Sequence, residues 1–249
     1  ADLGAEVERT LKKSKVKVYT NSKVSKVEMR NGKHVVTVSN GQEITLEVDK
    51  VLLAVGRRPN VEDLGLESAG VHVGKNGINV DEHMRTNVPH IYAVGDVTGG
   101  ILLAHVAMKE GVVAVESALG HESVMNYAAV PSCVFSQPEV ATVGLSEEQA
   151  LEQGYSIQVG KFPFRANGKA LAQGEQDGLV KIVADSQYGQ ILGVHIVGPH
   201  ASDLIQEGTL ALTLESTLDE LDATIHPHPT LSEALAEAAL AAKGSALHV

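Results

Sequence analysis

The stretch Ile225-His226-Pro227-His228-Pro229-Thr230-Leu231-Ser232-Glu233 gathers two imidazoles, two prolines and a carboxylate just ahead of an Ala/Leu-rich segment. Histidine is the side chain whose ordinary pKa allows proton transfer near neutral pH, and a carboxylate beside it can orient the ring and favour its charged form. Each histidine precedes a proline, which biases it toward extended backbone. Side chains two apart in an extended segment point the same way, so His226 and His228 are expected to share a face. Thr230 and Glu233 stand at the T-x-x-E spacing of a capping box, opening a helix over 231–243 that Gly244 ends. The local pattern supports two readings: a fixed general base with its carboxylate, or a cap flanked by two surface histidines.

Three regions must position these groups. In the first, Val7 and Leu11 mark one face of a short helix over 3–13. Residues 16–19, 23–29, 34–39 and 43–48 then alternate apolar and polar, as half-buried antiparallel strands do, with Asn31-Gly32 and Asn40-Gly41 as turns. The continuous apolar run 50–55 predicts a buried strand ending at Gly56. In the second region, 74–81 predicts a turn and short strand. Residues 91–94 predict a buried strand that delivers Gly95 and Asp96 at its C-terminal end, where open α/β folds place ligands. A helix over 102–119 follows; its first-turn N–H groups lack intrahelical partners and carry partial positive charge. In the third region, strands over 179–184 and 190–197 meet at Tyr188-Gly189, with helices over 201–214, 218–223 and 231–243. That predicts a sheet with helices on one face. The 201–214 helix carries Ile205, Leu210, Leu212 and Leu214, too apolar around its circumference for one covered face, which predicts a subunit interface.

Composition agrees with a globular chain. Its 249 residues are 43% hydrophobic and 20% charged, enough for a sizeable core and for two domains or one with parts of others. The net charge of −11 argues against nucleic acid or an anionic membrane as partner. No apolar run approaches the ~20 residues of a membrane-spanning helix, and no cationic-then-apolar leader is visible. With one cysteine, the expected compartment is the cytoplasm. No metal site is expected.

The wording of several motifs adds to this. His228-Pro229-Thr230-Leu231-Ser232-Glu233 resembles the dihydrolipoamide dehydrogenases, within the flavin disulfide reductases. Thr86-Asn87-Val88-Pro89-His90-Ile91-Tyr92-Ala93-Val94-Gly95-Asp96 resembles that family's second flavin-binding motif, and Leu103-Ala104-His105 follows at its spacing. Val51-Leu52-Leu53-Ala54-Val55-Gly56-Arg57-Arg58-Pro59 resembles the end of its nucleotide domain. Pro131-Ser132-Cys133-Val134-Phe135, Gln137-Pro138-Glu139-Val140-Ala141 and Gly160-Lys161-Phe162-Pro163-Phe164 resemble the opening of its interface domain.

The resemblance implies an α/β and α+β fold in three parts: 1–56 the end of an NAD-binding domain, 57–126 a central FAD-contacting segment, and 127–249 an interface domain that makes a two-fold homodimer. It implies His228 as the acid–base group and Glu233 as its orienting carboxylate. It implies cofactor contacts from Val24 and Gly56 to NAD, and from Asp96, Leu102, Leu103, Ala104 and His105 to FAD. Residue by residue, Val24 has the alternative of a core valine, Gly56 of a strand-to-loop glycine, and His105 of an exposed helix residue. The implied reaction is oxidation of dihydrolipoamide through an active-site disulfide and FAD to NAD+. The implied partner is a 2-oxo acid dehydrogenase complex, reached through its acyltransferase. Related glutathione and mercuric reductases fit less well, the latter because they end in a cysteine pair.

Other parts of that pattern are not in these residues. There is no G-x-G-x-x-G turn, and Cys133 is the only cysteine, so the chain cannot form an intramolecular redox disulfide. The expectation is a C-terminal half that binds FAD weakly by itself, with Cys133 a buried structural thiol. The alternative is a catalytically inert dimerisation module.

Overall fold

A computed structural model describes residues 2–248. By internal contacts the chain divides into two compact units, Leu11–Arg58 and the rest.

The smaller unit is an antiparallel meander of β1 (Lys23–Arg30), β2 (Lys33–Ser39) and β3 (Glu43–Val48). Asn31 and Gly32 join β1 to β2 with φ of 51° and 80°, the double left-handed turn whose twist matches the strands it links. Alternation puts Val36 and Val38 inside. Two expectations fail here. Residues 16–19 form no strand, and neither do residues 50–55. Leu52, Leu53 and Val55 are 80–89% exposed. A strand that is apolar on both faces needs a hydrogen-bonded neighbour and a cover on each side. No described strand pairs with this run.

The larger unit begins with the first turns of α1 (Asp2–Lys13) and resumes at Pro59. A small hairpin, β4 (Val73–Gly74) with β5 (Gly77–Ile78), packs Val71 and Ile78 against Ala93. Residues 91–94 are extended but are not a strand. Only the single bridge Arg85–Tyr92 forms beside them, because no described strand lies along their other edge. A 3-10 turn, Gly95–Thr98, and then α2 (Ala104–Ala118) follow.

The main core lies in a five-stranded antiparallel sheet, ordered β6 (Ser132–Val134), β7 (Glu139–Gly144), β10 (Ile191–Gly198), β9 (Leu179–Asp185), β8 (Ile157–Pro163). One face presents Ala141, Val143, Phe162, Val180, Ile182, Val194 and Ile196 to α5 (Ala201–Thr213) and α7 (Glu233–Ala242). Two glycines permit that approach. A Cβ at Gly160 would sit 1.9 Å from the Ala238 carbonyl oxygen, and one at Gly208 would sit 2.8 Å from Val194 Cβ. The helices do not all take one face as expected. The short α3 (Glu147–Glu152) packs Ala150 against Val183, whose side chain alternates to the opposite side from Ile182. Two further short helices, α4 (Gly168–Gln173) and α6 (Leu218–Ala223), flank the approach to α7. Among the described residues no helix is long and apolar enough to cross a membrane.

Candidate acid–base site and flavin-side turn

The loop between α6 and α7 carries the candidate catalytic groups. It leaves α6 at Thr224, in extended backbone, and is fastened along its length before α7 begins. Leu231 is buried in the core. Asn167 Nδ2, at the start of α4, donates to the Thr230 carbonyl at 2.9 Å. Thr230 Oγ1 donates to the Pro227 carbonyl at 2.7 Å, and Thr230 N–H donates to Glu233 Oε2 at 2.8 Å. The His228–Pro229 peptide bond is cis.

Glu233 uses its second oxygen on His228: Oε1 lies 2.8 Å from Nδ1. The carboxylate fixes the tautomer. With the proton on Nδ1, a neutral ring keeps its lone pair on Nε2. His228 is 78% exposed at the side chain and Glu233 only 27%, so the orienting group is sheltered while the imidazole stands open. Partial burial pushes the Glu233 carboxyl up, but the Thr230 N–H and the His228 ring outweigh it and hold it below the ordinary glutamate range.

One sequence expectation needs correction, and one holds in part. His226 and His228 both line the cavity beside α7, but they differ in exposure. His226 turns inward, 7% exposed, with Nε2 2.8 Å from Glu207 Oε1 on α5 and Nδ1 3.0 Å from the Thr224 carbonyl. Glu207 raises its pKa. The capping box is also only half formed. Glu233 reaches back to Thr230 N–H, but the Thr230 hydroxyl goes to Pro227 and Ser232, and the helix starts after Ser232. A cavity of about 440 Å³ opens beside the pair, with Leu171, Ala236 and Leu240 on its apolar wall.

The second candidate cluster lies at the other end of this unit's sequence. Gly95 has φ +77°, a conformation that glycine takes at no steric cost, and it opens the turn that carries Asp96. Leu102 and Leu103 are half-buried and precede α2; Ala104 and His105 form its exposed first turn. The N-cap residue, Leu103, is extended, and its side chain makes no capping hydrogen bond. That end of a fifteen-residue helix fits an anionic group. The His105 ring sits 2.8 Å from the Pro131 carbonyl. None of Asp96, Leu102, Leu103, Ala104 and His105 lines the cavity beside His228. In the smaller unit, Val24 is 55% exposed on β1 rather than core, and Gly56 has φ +122° with open space where a Cβ would stand.

Cys133 is half-buried on β6 against the main core; burial, then Glu139 and Asp203, pushes its thiol pKa up. It is poorly suited to nucleophilic exchange. Among the described residues no group of three or more His, Cys, Asp or Glu is placed to hold a metal ion.

Residues 130–239 match the model of the pyridine nucleotide-disulphide oxidoreductase dimerisation domain, and residues 1–111 match the model of the pyridine nucleotide-disulphide oxidoreductases. The chain belongs to this family. Curated relatives of the family include the dihydrolipoyl dehydrogenase of Bacillus subtilis, 45% identical over 99% of this chain and 53% of that protein. The dihydrolipoyl dehydrogenase of Thermus scotoductus is 48% identical over 100% of this chain and 54% of that protein. Among solved structures, LpdA from Mycobacterium tuberculosis superposes with a TM-score of 0.87 at 32% identity, over 96% of this chain and 52% of that one. The HOCl-induced flavoprotein disulfide reductase RclA from Escherichia coli gives 0.88 at 27% identity, over 96% and 55%. The chain thus spans about half the length of the family members it matches.

Sequence reasoning missed Glu207 as the partner of His226, and no local signal marks it. It also missed Glu110, which lies buried with Gly95 N–H 2.6 Å from one oxygen and the Tyr127 hydroxyl 2.7 Å from the other. That one was findable: a lone acid on the apolar stripe of α2.

Proposed function

We propose that this chain is the C-terminal portion of an FAD-dependent dihydrolipoyl dehydrogenase, with His228 and Glu233 as its acid–base pair. The observation that carries this reading is the Glu233 carboxylate, split between His228 Nδ1 and Thr230 N–H, which leaves His228 Nε2 open to a substrate. The thiolate is the nucleophile in thiol–disulfide exchange, so a base that removes the dihydrolipoamide thiol proton starts the reaction. Nε2 takes that proton, and the carboxylate stabilises the imidazolium that results.

FAD would accept the electron pair from the reduced disulfide and pass it to NAD+. Asp96 is suited to accept hydrogen bonds from ribityl hydroxyls. The α2 N-terminus, from Leu102 to His105, is suited to negative charge on the reduced ring. Val24 and Gly56 are assigned to the dinucleotide. The residue boundaries proposed for the three parts are 1–56, 57–126 and 127–249.

A homodimer through 127–249 completes the picture. The exposed His228 ring suits service to the second subunit's disulfide, and docking on a 2-oxo acid dehydrogenase complex through its acyltransferase belongs to the same reading. A second reading applies to the 249 residues alone. With Cys133 as the only cysteine, they would assemble without turning over. The test is to load the full-length protein with FAD and follow NAD+ reduction by dihydrolipoamide. Robust turnover is expected; a flavin-loaded protein that reduces other disulfides but ignores dihydrolipoamide would refute the substrate assignment.

A further inference from the structure

Glu110 is an acid on the wrong stripe of its helix. The buried positions of α2 are Val106, Glu110, Val113, Ala114 and Ser117, and Glu110 is 2% exposed. A buried carboxylate is costly unless its oxygens are hydrogen-bonded. Here each oxygen accepts one bond: Oε2 from Gly95 N–H at 2.6 Å, and Oε1 from the Tyr127 hydroxyl at 2.7 Å. Gly95 is the first residue of the Asp96 turn, and a Cβ on it would stand 3.1 Å from Ala107 Cβ, so α2 also abuts the turn one helical turn earlier. Tyr127 belongs to the segment between α2 and β6. Burial and the neighbouring Glu110 push its pKa up to about 12, so the hydroxyl keeps its proton. The His105 ring against the Pro131 carbonyl ties α2 to the same segment a second time.

We propose that Glu110 is a positioning residue: its carboxylate clamps the Gly95–Asp96 turn to α2 and, through Tyr127, to the segment entering the interface sheet. The clamp sets where Asp96 and the α2 N-terminus stand. Its ligand rests on the flavin reading above; the clamp itself is made of protein alone. Glu110→Gln can keep it, since the amide oxygen accepts from Gly95 N–H and the amide NH2 donates to the Tyr127 oxygen. Glu110→Ala removes both bonds, and Tyr127→Phe removes one.

The first measurement is amide hydrogen exchange in the 249-residue chain. Glu110→Ala should speed exchange at Gly95 and Gly99 about tenfold while β9 and β10 stay within about twofold. Tyr127→Phe should do so about threefold, and it carries the test if the alanine variant fails to fold. Glu110→Gln should restore protection. The second measurement is FAD release from the flavin-loaded full-length protein. It should quicken about tenfold in Glu110→Ala and return to within about threefold of wild type in Glu110→Gln. Unchanged exchange at Gly95 overturns the clamp. Faster exchange with unaltered FAD release overturns its positioning role. A wild-type full-length protein that binds no flavin defeats the functional reading and leaves the exchange result standing.

Discussion

The sheet behind His228 covers its apolar residues with its own helices, whereas residues 50–55 and one side of α2 leave theirs exposed. In the five-stranded sheet the strands pair in one unbroken order with β6 and β8 as its edges, and Val180, Ile182, Val194 and Ile196 are fully buried. Leading to Gly56, Leu52 and Leu53 are 80–89% exposed, and α2 with its C-cap shows Met108, Val112, Val115 and Leu119 at 47–73% on one side. The four are spaced four, three and four residues apart, which is a helix face built for cover. The candidate acid–base pair is thus fastened within the unit that carries it. The candidate flavin-side residues stand beside more exposed apolar surface. The pair should therefore be the rigid part of the chemistry, and the flavin side the conditional one.

The sharpest way to break that contrast is at the pair. In the flavin-loaded full-length protein, His228→Gln should slow dihydrolipoamide oxidation about 10²–10⁴-fold, the usual loss for a positioned general base. His226→Gln should cost far less, because His226 faces Glu207 and only His228 faces Glu233. NADH oxidation with an artificial acceptor needs no thiol proton and should change little in either variant. Equal collapse of both activities would make His228 structural. A larger loss in His226→Gln would put the base two residues upstream.

A second comparison sets the two regions' apolar residues side by side. Leu235 is fully buried between α7 and the sheet, so Leu235→Ala should cost about 2–5 kcal/mol in urea unfolding. Leu52 is 89% exposed, so Leu52→Ala should stay within about 0.5 kcal/mol in this chain. In the full-length protein the same Leu52 substitution should become costly if the run is buried there as a strand. Equal, small effects in both settings would mean that 50–55 is a loop in its own right.

That test also explains what could be read from the residues. Local periodicity found β1, β2, β3, β9, β10, α2, α5 and α7 within a residue or two, because each makes its own hydrogen bonds or pairs with a strand close in sequence. It put His228 and Glu233 in reach of each other because a short Pro-flanked loop and a helix start place them. It overstated residues 50–55 and 91–94. Their composition records neighbours that a strand must borrow from elsewhere, and pattern alone cannot say whether those neighbours are present. The partner of His226 was missed for a related reason: Glu207 lies nineteen residues away on α5, and alternation along a strand carries no information about a bond across the fold.

A smaller effect separates two histidines by pH. His226 has a raised pKa from Glu207, so its contribution is complete below about pH 6.5 and fades as pH rises through the folded value. Buried His195, on the sheet, is the reverse: burial lowers its pKa, so its contribution is complete above about pH 6.5 and fades as pH falls. His226→Gln should therefore lose roughly 1–2 kcal/mol near pH 6 and less near pH 9, read from urea midpoints. His195→Gln should show the opposite trend. A flat difference across that range for His226 would mean that its bond to Glu207 is made by the neutral ring.

A further effect is expected at Glu233 itself, and it bears on whether the pair is rigid by design. Its carboxylate serves two donors, His228 Nδ1–H and Thr230 N–H. Glu233→Gln can keep one of them with its amide oxygen, but turns an NH2 toward the other. The stability loss should be on the order of 1 kcal/mol, since only half a capping box is at stake. Glu233 is held below the ordinary glutamate range, so its contribution is present above about pH 4.5 and is lost as pH falls through the folded value. The wild-type advantage over Glu233→Gln should accordingly shrink under acid. The catalytic loss should exceed the stability loss, because the imidazolium formed at His228 would lack its counter-charge during proton transfer. A variant that lost stability but kept its turnover would show that Glu233 only caps α7, and that the exposed ring of His228 needs no orienting carboxylate.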